Sequence, residues 1–138
     1  MAAEVHTEGL QFLLECALSE EQTPPANFYI GLCTDASLAE DASLGDQTEV
    51  SGTGYARSAV ASNDTDMTSA AYGTADWKMT TSTETFTAGG TWTGAKTVFL
   101  ATTVDDSGKL IASAPLSATR TLANTDTLQV AILIALTG

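Results

Sequence analysis

The chain has 138 residues, a mass of 14.2 kDa and a net charge of −12, and all five of its basic residues lie at or after Arg57. Nucleic acids and anionic membrane surfaces are bound by clusters of Lys and Arg, so this composition argues strongly against both kinds of partner. No apolar stretch approaches the roughly 18 residues of a transmembrane helix, and the acidic start of the chain lacks the basic region of a signal peptide.

Composition also indicates the fold class. Charged residues make up only 16% of the chain, and threonine occurs 23 times. Threonine is β-branched and fits the pleated, half-buried surface of a sheet, so this composition favours strands. A chain of this length is typical of one domain, and we expect residues 1–138 to form a single β domain.

The first predicted element is an amphipathic helix over residues 7–20. Thr7 is the expected N-cap, and Glu8 lies favourably at the positive end of the helix dipole. Pro24 and Pro25 follow and end the helix, because the residue before a proline avoids the helical region. Apolar residues recur at the spacing of one helix face, and Phe12 and Cys16 widen this apolar stripe. These apolar positions are Leu10, Leu13, Leu14, Ala17 and Leu18.

A strand and a long acidic loop follow the helix. Residues 27–34 alternate as in a strand, with Phe28, Ile30 and Leu32 on one face. Residues 35–54 are acidic and rich in Ser and Gly, and we expect them to form a loop or arm. Irregular segments of about twenty residues in a compact domain are usually functional or serve as interaction arms.

Further strands are predicted from position 55 to the end of the chain. Residues 63–75 are interpreted as a loop, whereas the turn at residues 105–108 joins the most clearly marked hairpin. The pattern predicts a mainly β fold, an antiparallel β-sandwich or small barrel with Greek-key or jelly-roll-like connections and one N-terminal helix. The last strand alternates perfectly and is expected in the core. The predicted strands cover residues 55–61, 77–81, 83–86, 95–102, 109–116 and 128–136.

The residues do not combine into a nucleophile with its base. His6 is the only histidine and is expected in a frayed N-terminal segment, where a catalytic base would be held poorly. Cys16 and Cys33 are interpreted as reduced, buried small hydrophobes, with a disulfide as the alternative. Two cysteines and one histidine cannot complete a tetrahedral zinc site without a carboxylate.

Acidic side chains offer two further hypotheses. Neighbouring acids could serve acid–base chemistry, but each pair lies in a loop or at a helix end, where solvation keeps both members ionised. These pairs are Glu20–Glu21, Glu40–Asp41 and Asp105–Asp106. A calcium site in the acidic loop is the better metal hypothesis, although no EF-hand motif is present. Its candidate ligands are Asp35, Glu40, Asp41, Asp46 and Glu49.

Glycines and aromatic residues are the remaining candidates for a ligand-binding role. Residues 52–54 (Gly-Thr-Gly) resemble a phosphate loop only weakly, because a strand follows instead of a helix, and a turn is the better interpretation. Aromatic rings could line a sugar-binding face, although core and subunit interface are the commoner uses. These aromatic residues are Tyr29, Tyr55, Tyr72, Trp77, Phe86 and Trp92. We therefore predict no catalytic residue, no metal-binding residue and no cofactor.

Several stretches together resemble a family of small virion proteins of tailed bacteriophages. The most specific is residues 48–57, TEVSGTGYAR. The others are GLCT at 31–34, Trp92, SAPLS at 113–117 and NTDTL at 124–128. Members are labelled tail-fibre or minor structural proteins, and some relatives are regarded as head decoration proteins. Residues 63–86 depart from the family pattern because they form a longer middle segment, as do Thr102 and Thr103.

The resemblance implies a virion structural role and carries over no catalytic residue. The leading hypothesis is a capsid decoration (cement) protein on the outer shell, with the major capsid protein and further copies of itself as partners. A trimer is favoured over a dimer because docking at three-fold sites would match that symmetry. The alternative is a tail or tail-fibre-associated structural or receptor-binding protein, and a glycan-degrading enzyme is a third hypothesis. We expect the acidic arm and the N-terminal helix to carry the contacts between subunits or with the capsid.

Overall fold

The computed structural model describes residues 3–137, and these residues form ten strands and one N-terminal helix. The helix is α1 (Thr7–Leu14), and it continues as a π-helical turn (Glu15–Ser19). The strands are β1 (Glu4–Val5), β2 (Asn27–Cys33), β3 (Ser58–Ala61), β4 (Met67–Tyr72), β5 (Asp76–Thr81), β6 (Glu84–Thr87), β7 (Ala95–Ala101), β8 (Leu110–Arg120), β9 (Thr127–Val130) and β10 (Leu133–Leu136). No helical segment within residues 3–137 combines the length and apolarity needed to span a bilayer.

The strands form three sheets in which every pair is antiparallel. A central five-stranded sheet has the order β1-β8-β7-β2-β3, a three-stranded sheet has the order β10-β5-β4, and β6 pairs with β9. Side chains from all three sheets and from α1 share the main hydrophobic core. The prediction of a mainly β sandwich with one N-terminal helix is confirmed, and no sheet among the described residues closes into a barrel.

The helix begins and ends close to its predicted limits, but two details differ. His6 occupies the N-cap position and makes no side-chain cap, so the prediction of Thr7 as N-cap was wrong. After Leu14 the backbone widens into the π-helical turn, and Glu20 ends it in the left-handed conformation with φ 57°. The side chains of the last turn are therefore rotated relative to a continuous α-helix.

Only part of the predicted apolar stripe of the helix is buried. Gly9 and Phe12 are the buried residues of α1, whereas Leu14 is 57% exposed and Leu18 is 78% exposed. A Cβ atom on Gly9 would lie 2.2 Å from the carbonyl oxygen of Ile111, so the helix approaches β8 through its glycine. Hydrophobic periodicity cannot detect such a contact, because glycine carries no apolar side chain.

The central sheet is buried on both of its faces. On one face, Ile30 pairs with Leu100 and Leu32 with Val98, and these four side chains lie in the main core. On the other face, Phe99 belongs to a second hydrophobic cluster together with Cys33, Ala101 and Leu110. A central sheet with two apolar faces needs a cover on each side.

The acidic segment provides the second cover. Leu38, Ala42 and Leu44 are buried and complete the cluster around Phe99. The interpretation of residues 35–54 as an arm was wrong, because the segment folds back on the sheet and its few apolar side chains replace a packing layer. The backbone is fixed as well, since the amide of Thr7 donates to the carbonyl of Glu40 over 3.0 Å.

Two strand assignments also differ from prediction. Residues 128–136 form two strands, β9 and β10, which pair in different sheets, although Val130, Ile132 and Ile134 all remain buried. Within the segment interpreted as a loop, residues 67–72 form β4, an edge strand whose side chains are mostly exposed and so show no apolar alternation. The amide of Ala3 donates to the carbonyl of Leu133 over 2.7 Å, so the two ends of the described chain meet.

A buried guanidinium connects the acidic segment to the central sheet. Arg57 donates to both carboxylate oxygens of Glu49 at 2.9 Å, to Asp106, and to the carbonyls of Thr103 and Asp105. Burial acts to lower the pKa of Arg57, but its hydrogen bonds with Glu49 and Asp106 raise the pKa above the ordinary value. Arg57 therefore remains charged, and every nitrogen of its guanidinium has a partner.

The same guanidinium lies over an aromatic ring. The centroid of the Phe99 ring is 5.1 Å from Cζ of Arg57. A Cβ atom on Gly31 would come within 2.2 Å of the Phe99 ring, so the strand neighbour of Phe99 must be a glycine. Sheet, ring and guanidinium thus form one packed column, in which the cation–π contact adds to the ion pair.

Arg57→Lys is expected to lower the free energy of unfolding by about 2–4 kcal/mol, because a lysine cannot reproduce the forked donor geometry at a buried ion pair. Arg120→Lys is the matched control, since Arg120 is exposed and makes a single side-chain hydrogen bond to Ser117. Chemical denaturation monitored by tryptophan fluorescence measures both variants. Equal effects at the two positions would contradict the structural role of Arg57.

Glu8 fastens the helix to both neighbouring elements, and its pKa gives this contact a pH dependence. One carboxylate oxygen accepts from the amides of Leu44 at 3.0 Å and Leu110 at 2.9 Å. Partial burial acts to raise the pKa of Glu8, but these hydrogen bonds and Lys109 lower it below its ordinary value of 4.5. A depressed pKa in the folded state means that the stabilisation is present above about 4.5 and is lost as the pH falls through the folded-state value.

Glu8→Ala is expected to cost about 1–3 kcal/mol of unfolding free energy at pH 7, since it leaves two amides without their acceptor. The difference from the wild type should shrink as the pH falls below about 4.5, the ordinary carboxyl pKa. Glu15→Ala is the control on the same helix, because Glu15 bonds only the exposed side chain of Gln11. A difference that stays constant from pH 7 to pH 3 would show that ionisation of Glu8 is irrelevant.

Gly9→Ala is expected to destabilise the fold by about 1–3 kcal/mol through its clash with the backbone of β8. At an open helix position the same substitution would stabilise by about 0.5–1 kcal/mol, so the sign of the effect is diagnostic. Thermal unfolding followed by circular dichroism gives that sign. Gln11→Ala, at an exposed position of α1, should change stability by no more than about 0.5 kcal/mol.

Candidate interaction surface

The histidine that was predicted to be frayed is fully buried. Nδ1 of His6 donates to the carbonyl of Ala39 at 2.9 Å, and Nε2 accepts from the hydroxyl of Ser113 at 2.7 Å. A carbonyl can only accept, so this pairing fixes the tautomer with the proton on Nδ1. Both ring nitrogens are satisfied inside the protein, and the ring joins the chain start to the acidic segment and to β8.

Both cysteines are free thiols in the structure. Cys33 is fully buried, and burial raises its pKa to about 12, so it is a neutral thiol at physiological pH. Cys16 lies half-buried in the π-helical turn, where burial likewise raises its pKa. Neither position has the electropositive surroundings that make a reactive thiolate.

The acids proposed for calcium serve the backbone and Arg57 instead. The carboxylate of Asp35 accepts from the amide of Thr48 at 2.6 Å, and that of Asp46 accepts from the amide of Ser43 at 2.8 Å. Glu49 is paired with Arg57. Within residues 3–137, no three metal-ligating side chains converge. The described acids therefore act mainly as turn and loop caps.

The predicted acidic pairs do not form a catalytic cleft. Glu40 and Asp41 are exposed. A hydrogen bond from the hydroxyl of Ser107 lowers the pKa of Asp105, which therefore stays ionised, and Asp106 bonds Arg57.

The glycine-rich turn binds a tryptophan of the same chain. The indole Nε1 of Trp92 donates to the carbonyl of Thr53 at 2.8 Å. A Cβ atom on Gly52, whose φ is 152°, would lie 2.3 Å from the indole ring. The turn is therefore closed by the buried Trp92 and has no exposed cradle for a phosphate.

The six candidate aromatic residues do not share one face. Tyr55 stacks on Phe86 with a centroid distance of 6.1 Å and meets Trp92 edge-on at 5.4 Å, and this trio is internal. Trp77 and Tyr72 are exposed, but they lie on opposite faces of the three-stranded sheet by register. The sugar-binding face proposed from the sequence is not assembled.

An apolar surface remains uncovered at one end of the three-stranded sheet. Trp77 on β5 pairs with Ala71 on β4 and with Leu136 on β10, so these residues form one row on one face. The next row on this face, Met79 with Ile134, packs against the main core. The outer row extends beyond it, and Trp77 and Leu136 are 57% and 58% exposed.

A groove separates this sheet end from the helix. It has a volume of about 190 Å³, and almost all of its lining atoms are apolar. Leu13 of α1 forms one wall, while Met67, Met79, Trp77, Ile134 and Leu136 form the facing wall. We call this feature the sheet-end groove. Apolar clefts with exposed aromatic rims are typical of recognition surfaces.

A second uncovered apolar feature lies on α1 itself. Leu10, Leu14 and Leu18 follow one another at intervals of four residues and are all exposed. We call them the helix stripe. Leu13 of the same helix lines the groove, so the stripe and the groove are neighbours. Together they contain five of the seven large hydrophobic side chains that are exposed among the described residues, the other two being Tyr72 and Val104.

Sequence reasoning singled out most of these residues but placed them differently. Trp77 was a candidate aromatic, Leu136 was expected in the core, and the helix leucines were expected on one apolar face of a helix that makes intersubunit or capsid contacts. The β4 wall with Met67 was missed, because its segment was interpreted as a loop. One signal was available in the sequence: the helix has more apolar positions than a single buried face can hold.

No curated protein matches the chain. The model of one protein family, described as podophage GP4 fiber I protein gp80, matches residues 10–134. The match extends from α1 to β10 and thus includes the stripe, the Arg57 network and all of the groove except Leu136. It supports the phage part of the resemblance drawn from the sequence. This chain belongs to the podophage GP4 fiber I protein gp80 family, and it is a phage structural protein of the virion.

Proposed function

We propose that this protein is a structural component of a podophage tail fibre. The observation that carries the proposal is the family match over residues 10–134, because the family is described by a fibre protein. This supports the tail-associated alternative better than the leading hypothesis of a capsid decoration protein. The major capsid protein is accordingly not among the partners proposed here.

The structure supports a role as a packed module that makes protein contacts. Its polar interior groups are engaged within the chain, since His6, Arg57 and Glu8 each bond neighbouring elements. Among the described residues, most of the exposed large apolar side chains lie at one sheet end and on one helix. Such an arrangement suits assembly with other proteins, and the acidic surface keeps the free module soluble.

Labelling of intact virions tests the location. A gold-conjugated antibody raised against the purified chain is expected to mark the fibres at the tail of negatively stained particles. An antibody against the major capsid protein serves as the control and should mark the head alone. Labelling spread over the head shell by both antibodies would reject the fibre assignment and return the decoration hypothesis.

A further inference from the structure

Strand β4 forms the open edge of the three-stranded sheet. It pairs with β5 over all six residues, Met67–Tyr72, and among the described residues no strand lies on its other side. Natural proteins protect such an edge with a proline, a charged side chain or a β-bulge. The sequence of β4, MTSAAY, contains no proline and no acidic or basic residue, and its register with β5 is unbroken. The outer edge of β4 is therefore able to receive a further strand.

The register of the sheet shows which backbone groups of β4 point outwards. The amide of Thr81 on β5 donates to the carbonyl of Ile132, on the β10 side, so the pair of Thr81 and Met67 makes no ladder hydrogen bonds. Successive residues of an antiparallel strand direct their amides and carbonyls to opposite sides. Those of Ser69 and Ala71 therefore point away from β5, and no loop or side-chain hydrogen bond within residues 3–137 reaches them.

Unpaired backbone groups in this spacing are recognised by an extended chain, as in β-strand addition. A second copy of β4 fits them in the antiparallel direction. With a two-fold axis at Ala70, Ser69 of each copy lies opposite Ala71 of the other, and each of these pairs exchanges both of its hydrogen bonds. The edge is thus self-complementary, because its two outward-pointing residues are placed symmetrically about Ala70.

The side chains of β4 are compatible with this pairing. All residues from Thr68 to Tyr72 are exposed. On one face, Ala70 meets its own copy at the axis, and Tyr72 lies opposite Thr68 of the second copy, which places an aromatic residue beside a β-branched one. On the other face, the small Ser69 and Ala71 lie opposite each other. Neither face brings a bulky pair or a pair of like charges to the axis.

The charges around β4 favour it as the meeting point of two copies. Each chain carries a net charge of −12, which opposes association. Strand β4 adds no charge of its own, and Lys78, the neighbour of Ala70 on β5, places a positive charge beside the junction. This ammonium group partly offsets the negative charges of Asp66 and Asp76, which lie at the two ends of β4.

We propose that two copies of the protein pair through β4 as antiparallel strands, about a two-fold axis at Ala70, and so join their three-stranded sheets into one continuous sheet. The pairing uses up the open edge of both copies, so the assembly closes as a dimer and does not extend into a filament. The inference does not depend on where in the virion the protein resides, and its failure would leave the fibre assignment unaffected.

Sedimentation velocity and amide hydrogen exchange provide the first test. The purified chain is expected to form a dimer as its concentration rises, and the amides of Ser69 and Ala71 should then exchange at least about tenfold more slowly. The amides of Thr68 and Ala70 serve as internal controls, because β5 protects them in the monomer as well. A chain that stays monomeric up to about 1 mM, or a dimer that leaves Ser69 and Ala71 unprotected, would overturn the proposal.

Two substitutions test the edge itself. Ala71→Pro removes an outward-pointing donor and leaves the hydrogen bonds with β5 intact, whereas Ala70→Lys brings two ammonium groups together at the axis. Each is expected to raise the dimer dissociation constant at least about tenfold, and circular dichroism verifies that both variants fold. Val104→Lys is the matched control, since Val104 is 59% exposed and lies outside β4, and its dimer should be as tight as that of the wild type. A dimer that neither β4 variant weakens would place the interface elsewhere and overturn the proposal.

Disulfide cross-linking tests the position of the axis. The two copies of Ala70 form a non-hydrogen-bonded pair, whose Cα atoms lie about 4.5 Å apart, within the range of a disulfide. Ala70→Cys in a Cys16→Ser background is therefore expected to give a covalent dimer on mild oxidation, as seen by non-reducing electrophoresis. Thr68→Cys in the same background is the control, because Thr68 lies opposite Tyr72 and far from its own copy. Equal cross-linking at the two positions, or none at Ala70, would overturn the proposed register.

Discussion

The central sheet of this protein is apolar on both faces, and most other features follow from the need to cover them. The main core face is covered by α1 and the two smaller sheets. The opposite face has no sheet or helix above it, and the acidic segment fills that place with Leu38, Ala42 and Leu44. An irregular segment can replace a regular layer only if its backbone polar groups find partners. That requirement explains why so many acids of this segment bond backbone amides.

Arg57 is the point at which this cover is fixed to the sheet. A buried cation is costly unless it is paired and hydrogen-bonded, and here Glu49, Asp106 and two carbonyls meet the full set of donors. The TEVSGTGYAR stretch thus stabilises the packing of this region. Glu49 supplies the carboxylate, the hydroxyl of Tyr55 donates a hydrogen bond to it at 2.7 Å, and Arg57 pairs with it. The same stretch is the most specific part of the family resemblance, and its contacts within this chain are structural.

The fold class could be derived from the sequence because it depends on composition and alternation. The strands β2, β5, β7 and β8 were located from apolar patterns, and the β7–β8 pairing followed from its turn. What failed depends on contacts between distant segments. Gly9 determines which face of α1 packs against β8. Arg57 pairs with Asp106, which is distant in the sequence. Strand β4 is an exposed edge strand whose residues show no apolar alternation. The candidate surface could not be predicted for the same reason. Whether a leucine is exposed or buried depends on the segments that pack around it, and these are distant in the sequence.

The contact between Ala3 and Leu133 has a consequence for the order of folding. Each of the three sheets contains a strand that lies after Gly108, namely β8, β9 or β10. None of the sheets can therefore be completed before these strands are in place, and contacts between residues so far apart in sequence form slowly. The three sheets are therefore expected to form together, as one cooperative event.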